Sequence, residues 1–315
     1  MVPDGTAATA GRPSLPPTDT YLRAVIALGF ASLRLALPAL GFLYFYRLGM
    51  SVYLALSRDP TSPLGMTDER TVIISAATDI VAYLPMLVLV VTPILAIQDS
   101  ILRGQRQAFG AAVRLVLERL VHFIISVISQ AVLILGPPSL FFAGAVLLLG
   151  ALPSKPEELI RLLVIASLIP SVLYVIVIAF FLIFAIPAVV LDGRGPFAAM
   201  RQSFAVVGRH FGGIFARLFI FTALLVIATV AMSLPGVILE AAAAAASVNH
   251  PAFKIAAAIW KAAVSAFLFP FSVAALLVLY RAAVPARAGA AGPDTTGEIP
   301  AVEEVRSAAS PYRFE

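Results

Sequence analysis

Ile160-Arg-Leu-Leu-Val-Ile-Ala-Ser-Leu-Ile-Pro-Ser-Val-Leu-Tyr-Val-Ile-Val-Ile-Ala-Phe-Phe-Leu-Ile-Phe-Ala-Ile-Pro-Ala-Val-Val-Leu191 decides the fold class. Its only charge is Arg161, at the edge. A helix satisfies its own backbone and rises about 1.5 Å per residue, so roughly 20 such residues cross about 30 Å of hydrocarbon. This run is longer than a perpendicular crossing requires, which predicts tilt or a kink at Pro170 or Pro187.

Comparable runs lie on both sides of it: Val72 to Ile97, Val121 to Leu152, Ile214 to Leu239 and Ile255 to Leu279, with a less clean one at Leu35 to Leu56. Together they predict an all-α integral membrane protein with about six transmembrane helices. The bulk composition agrees, because 61% of residues are apolar, 12% are charged and the mean hydropathy is +0.99. A soluble surface needs about twice that share of charge. Cysteine is absent, which removes disulfides, thiolate metal ligands and thiol nucleophiles. Asp4, Arg12, Pro13, Pro16, Pro17 and Asp19 do not form the basic start and apolar core of a cleaved signal, so the first span is expected to be an uncleaved anchor.

Proline punctuates the spans at Pro38, Pro85, Pro93, Pro170, Pro187, Pro235 and Pro270. Each removes an N–H, leaving a carbonyl for a neighbouring helix to satisfy. Gly136-Pro137-Pro138 is the stronger signal and predicts a break that splits the third run into a membrane helix and a shorter interfacial segment.

The isoelectric point near 9.7 arises from single arginines beside apolar runs, a membrane-flanking pattern with no cluster for nucleic acid. Arg12, Arg23, Arg34, Arg103, Arg106, Arg114, Arg119, Arg194, Arg201, Arg209, Arg281 and Arg287 fall on one side, and seven basic residues from Arg47 to Lys261 on the other. By the positive-inside rule both termini are expected to be cytoplasmic, and abundant Ala, Arg and Pro point to a GC-rich bacterium, whose inner membrane is the expected location.

Three stretches repeat a pattern of aromatic and small residues before an arginine: Leu28 to Arg34, Ala108 to Arg114 and Pro196 to Arg201. At 100° per residue, Phe197, Met200, Phe204, Val207 and Phe211 share a face; Phe109, Val113, Val116, Leu117 and Leu120 do so in the second copy, and Leu22, Val25, Ile26, Gly29, Phe30 and Leu33 in the first. The expected organisation is three tandem units of an in-plane amphipathic helix and two spans, at 20–97, 98–191 and 192–285, forming one polytopic membrane domain over 20–285. Disordered cytoplasmic ends are expected at 1–19 and 286–315, the latter polar and acidic.

The stretch Ile186-Pro-Ala-Val-Val-Leu-Asp-Gly-Arg-Gly-Pro-Phe-Ala-Ala-Met-Arg-Gln-Ser203, running into Phe204 to Phe211, resembles the signature of the membrane domain found beside glycerophosphoryl diester phosphodiesterases and of related six-span bacterial proteins. Leu276-Leu-Val-Leu-Tyr-Arg281 resembles the end of that group. The resemblance singles out Pro187, Gly193, Phe197, Arg201 and Ser203, implies a helical membrane domain and supplies no catalytic residues. Almost everything outside the spans is short loop, so the phosphodiesterase activity of the soluble hydrolase that accompanies the domain in some relatives is not expected of these residues.

Among residues that carry chemistry, Asp79 lies about two turns inside the second span, where a carboxylate is costly unless paired or wet. A structural pair with Lys261 is the favoured expectation, with a proton or cation site as the alternative. Arg114, Arg201 and Arg217 are candidates for lipid-headgroup contact. His122, His210 and His250 are scattered, so no metal site and no cofactor are expected. Ser203 and Gln202 lack a nearby base, and capping is their expected role. These residues predict no enzyme but an accessory membrane domain that organises lipids or partner proteins. A small-molecule or lipid transporter is the alternative.

Overall fold

The computed structural model describes residues 15–56, 85–105, 107–151, 157–245 and 251–284, and its regular structure is entirely helical among them. The chain begins with α1 (Thr18–Leu33) and α2 (Leu37–Leu56). A π-helical turn, Leu87–Val91, leads into α3 (Thr92–Leu102), followed by α4 (Phe109–Glu118) and α5 (Leu120–Ala151). Then come α6 (Glu157–Phe181), α7 (Ala185–Val190), α8 (Pro196–Ala245) and α9 (Pro251–Ala283).

Four segments are long and apolar enough to cross a membrane: Leu120–Gly150, Ile165–Val190, Pro196–Leu239 and Ile255–Ala283. A fifth results if α1 and α2, bent by 89° at Arg34 to Ala36, count as one broken span. The chain therefore reads as a multi-pass helical membrane protein. The expected second span is described only from Pro85, since 72–84 lie outside the described residues, as do 1–14 and the whole expected tail. Leu15 to Asp19, expected within a disordered end, have a defined place, and α1 already starts at Thr18.

The core is built around α9, which packs against α1, α2, α3 and α8. Its buried positions include Ala257, Ala258, Ala262, Ala266, Ala274 and Ala275. Small side chains let backbones approach closely, the main source of helix association where lipid tails are as apolar as leucine. Against this surface α1 buries Tyr21, Ala24, Val25, Leu28 and Ser32. That corrects the amphipathic reading of α1: Ile26 and Phe30 of the expected stripe are exposed, because contact with α9 selects a face about a quarter-turn away.

Pro93 explains the π-helical turn. It cannot donate to the preceding turn, and the Thr92 N–H reaches the Leu87 carbonyl one residue further back. Val88's carbonyl, freed by that slip, accepts the Thr92 hydroxyl at 3.0 Å.

The break expected at Gly136-Pro137-Pro138 does not occur, and α5 runs unbroken through both prolines. Pro137 deprives the Leu133 carbonyl of its helical donor, and the Tyr174 hydroxyl of α6 supplies one at 2.9 Å. Tyr174→Phe is therefore expected to cost about 1 kcal/mol, read as a lower unfolding midpoint in detergent. Adding Pro137→Ala, which restores an intrahelical N–H for Leu133, should erase most of that loss.

The stretch 160–191, expected as one span, holds the single membrane-length segment Ile165–Val190, with a turn at Leu182 to Phe184 between α6 and α7. Pro187 weakens the ladder there, and the buried Ser203 hydroxyl of α8 replaces it, donating to the Phe181 carbonyl at 2.6 Å and accepting the Phe184 N–H at 3.1 Å.

Candidate functional site

Three helix ends converge on one charge cluster. Asp99 closes α3, Asp192 follows α7 and Arg281 sits in the last turn of α9. The Arg281 Nε donates to Asp99 Oδ1 at 2.6 Å and its Nη1 to Asp192 Oδ1 at 3.0 Å. Tyr280, fully buried, donates its hydroxyl to the other Asp192 oxygen. Arg103, half-exposed, meets Asp99 Oδ2 at 2.9 Å one turn further along. Side-chain exposure is 9% for Asp99, 16% for Asp192 and 25% for Arg281, so water screens this network far less than a surface pair.

Local sequence explains why each group is available. Gly104, with φ +68°, ends α3 in a Schellman turn: Gln105 N–H bonds the Ser100 carbonyl at 2.8 Å and Gly104 N–H the Ile101 carbonyl at 3.0 Å. The chain leaves α3 at once, and Asp99 stays on the last turn facing α9. After α7, Gly193 at φ +62° reverses the chain so that Arg194 N–H reaches the Ala188 carbonyl at 3.2 Å. A Cβ on Gly193 would also stand 3.3 Å from the guanidinium carbon of Arg119, whose Nη1 donates to the Val190 carbonyl. The left-handed backbone conformation favours glycine there, and an added Cβ would crowd the Arg119 guanidinium.

The two acids and two arginines balance in charge, and Phe184 packs on the Tyr280 ring at 5.7 Å between centroids, closing the inner side. Such a network fastens α3, α7 and α9 together. One Arg281 nitrogen, Nη2, is buried without a partner.

The residues singled out from the sequence are dispersed. Asp79 lies outside the described residues, and Lys261 is exposed on α9. Pro187 is buried in α7 and its carbonyl accepts Leu191 N–H; Gly193 and Ser203 hold the turns around α7, while Phe197 and Arg201 are exposed on α8. Arg114 is exposed and pairs with Glu118 at 3.1 Å. Arg217 is half-buried and donates to the backbone carbonyls of Pro16 and Gly213, at 2.9 and 2.8 Å. His122 is exposed, His250 lies outside the described residues, and no metal-holding group of side chains occurs among the described ones.

Sequence reading quoted Asp192 and Arg281 inside motifs but missed their meeting, and it passed over Asp99. A signal was present: Asp192 and Asp99 stand 89 and 182 residues before Arg281, about one and two repeat lengths, each just beyond an apolar run. No protein family, curated protein or solved structure matches the chain.

Proposed function

We propose that this chain is a non-catalytic membrane domain that organises lipids or partner proteins. The observation that carries the reading is the division of its surface: the cluster of Asp99, Asp192 and Arg281 is bonded internally, while α5, α6 and α8 turn large apolar side chains outward. Leu140, Leu147, Leu162 and Val230 are between 59% and 76% exposed, a surface suited to lipid tails or to another membrane helix. Ser203, the hydroxyl of the signature-like stretch, is committed to the α6–α7 turn, which fits a structural role.

The same reading includes six spans in three tandem units. Breaks at Arg34 to Ala36, Arg119 and His210 each separate a leading helix from the long helix after it, and they fall at corresponding places in the proposed units. The 89° bend between α1 and α2 suits a leading helix lying along the interface. Clustering of Asp99, Asp192 and Arg281 supports a shared cytoplasmic end for the second span of every unit. The resemblance of Ile186 to Ser203 to membrane domains beside glycerophosphoryl diester phosphodiesterases points the same way, and the reading includes an inner-membrane location with cytoplasmic termini.

Transport is the second reading, and it rests on one feature. In α3, Gln98 bonds Ser32 Oγ and the Pro270 carbonyl with its nitrogen and leaves its buried Oε1 without a donor. A polar acceptor inside a helix bundle suits a passing solute.

Native mass spectrometry of the chain drawn directly from its membrane into nanodiscs tests the proposal. Co-purification of one lipid class or a stoichiometric protein supports it. A bare chain overturns it and favours transport, to be followed by uptake assays on Asp79→Asn.

A further inference from the structure

A cleft of about 520 Å³ opens where α8 kinks at His210, whose φ of −117° and ψ of 21° leave the helical region. Leu15, Arg209, His210, Gly212, Gly213 and Arg217 line it. Its electrostatics are one-sided. Arg217 spends its donors on carbonyls, and among the described residues no carboxylate pairs with Arg209, His210 or Arg217. The His210 Nε2 is shielded from solvent and has no hydrogen-bond partner. From the cleft a ladder of rings runs along α8: Phe211 stacks on Phe215 at 5.9 Å and Phe215 on Phe219 at 6.1 Å. These rings are 47%, 50% and 65% exposed, successively more so away from the cationic end.

We infer that the α8 kink binds an anionic phospholipid, with its phosphate between Arg209, His210 and Arg217 and an acyl chain along the Phe211–Phe215–Phe219 ladder. A phosphate oxygen matches what the cleft lacks, an acceptor that carries negative charge. Free phosphate would satisfy the cleft equally but would not touch the ladder, whose Phe211 and Phe215 rings pack on Phe180 and Phe181 of α6 with one side and leave the other exposed; an amphiphile uses both cleft and ladder. Gly212 leaves the approach open on the α8 side, while Gly213 makes room for Leu15 and the Arg217 guanidinium. The inference deepens the organiser reading, on which it rests, by naming the lipid class.

The test uses the full chain in nanodiscs of phosphatidylcholine and phosphatidylglycerol, with retained lipid counted by native mass spectrometry. Arg217 anchors the Leu15–Pro16 segment and is left intact. Arg209→Gln with His210→Gln should reduce phosphatidylglycerol retention roughly tenfold or more, without change in unfolding midpoint. Phe219→Ala, at an exposed position, should weaken retention without unfolding the chain. Inorganic phosphate, added alone in detergent, should not raise the midpoint. Stabilisation by inorganic phosphate that disappears in the double variant, with lipid retention indifferent to Phe219→Ala, would overturn the lipid assignment in favour of free phosphate. Equal phosphatidylglycerol retention by wild type and both variants would overturn the site while leaving the organiser reading intact. A wild-type chain that retains no lipid and no partner would sink both.

Discussion

Arg281→Met is expected to destabilise the protein by about 2–3 kcal/mol, the largest loss from any single side chain described above. Removing one partner of a buried ion pair costs roughly 3–5 kcal/mol, because the remaining charge stays buried without compensation. The 25% exposure of Arg281 and the second cation, Arg103, on Asp99 reduce the figure here. Two carboxylates fastened by one guanidinium would then face each other, with Asp192 left to the Tyr280 hydroxyl alone. Denaturant unfolding in detergent measures the loss. The informative companion is the chain in which Asp99→Asn and Asp192→Asn accompany Arg281→Met. With all three charges gone, at least half of the stability should return, since the penalty belongs to unpaired charge and much less to the lost attraction. A change within about 0.5 kcal/mol for Arg281→Met would mean that both acids reach water and that the cluster fastens nothing.

Gly29→Ala should also be destabilising, by about 1–3 kcal/mol, against the ordinary direction for a helix. Alanine normally gains about 1 kcal/mol over glycine in a helix interior. At Gly29 an added Cβ would lie inside the contact distance of the Phe271 ring, 2.7 Å from Cε1 and 2.9 Å from Cγ. The collision reaches the root of the ring, so a swing of its far edge does not relieve it. Phe271 is only 8% exposed and held edge-on by Phe30 at 5.0 Å. Overpacking of this kind typically costs about 1–3 kcal/mol. Thermal unfolding of Gly29→Ala, of Phe271→Leu and of the pair gives the coupling. The pair should be more stable than the sum of the single losses implies, and simple additivity would show that α1 and α9 are not in close contact at this point.

These two positions mark the boundary of what a linear reading reaches. Gly29 looked like one more member of an apolar stripe with Leu22, Ile26 and Leu33, because periodicity reports which residues share a face and not what that face meets. The stripe faces outward in part, and the face with Tyr21, Val25 and Leu28 is buried, because α9 approaches from that side. Gly136-Pro137-Pro138 misled for the same reason. Proline's missing N–H is a local fact, whereas the Tyr174 hydroxyl that answers it lies 41 residues away.

Hydropathy summed over about twenty residues already decides that this chain is helical and lies in a membrane, because the cost of burying a backbone in lipid depends on each segment by itself. Tertiary structure alone decided that Asp99, Asp192 and Arg281 form one network, that Ser203 caps another helix's turn, and that Arg209, His210 and Arg217 line one cleft. Electrostatic and hydrogen-bond energies fall off within a few ångströms, so they depend on which helix ends are brought together. That is settled by the packing of small residues along α9, which no single segment encodes.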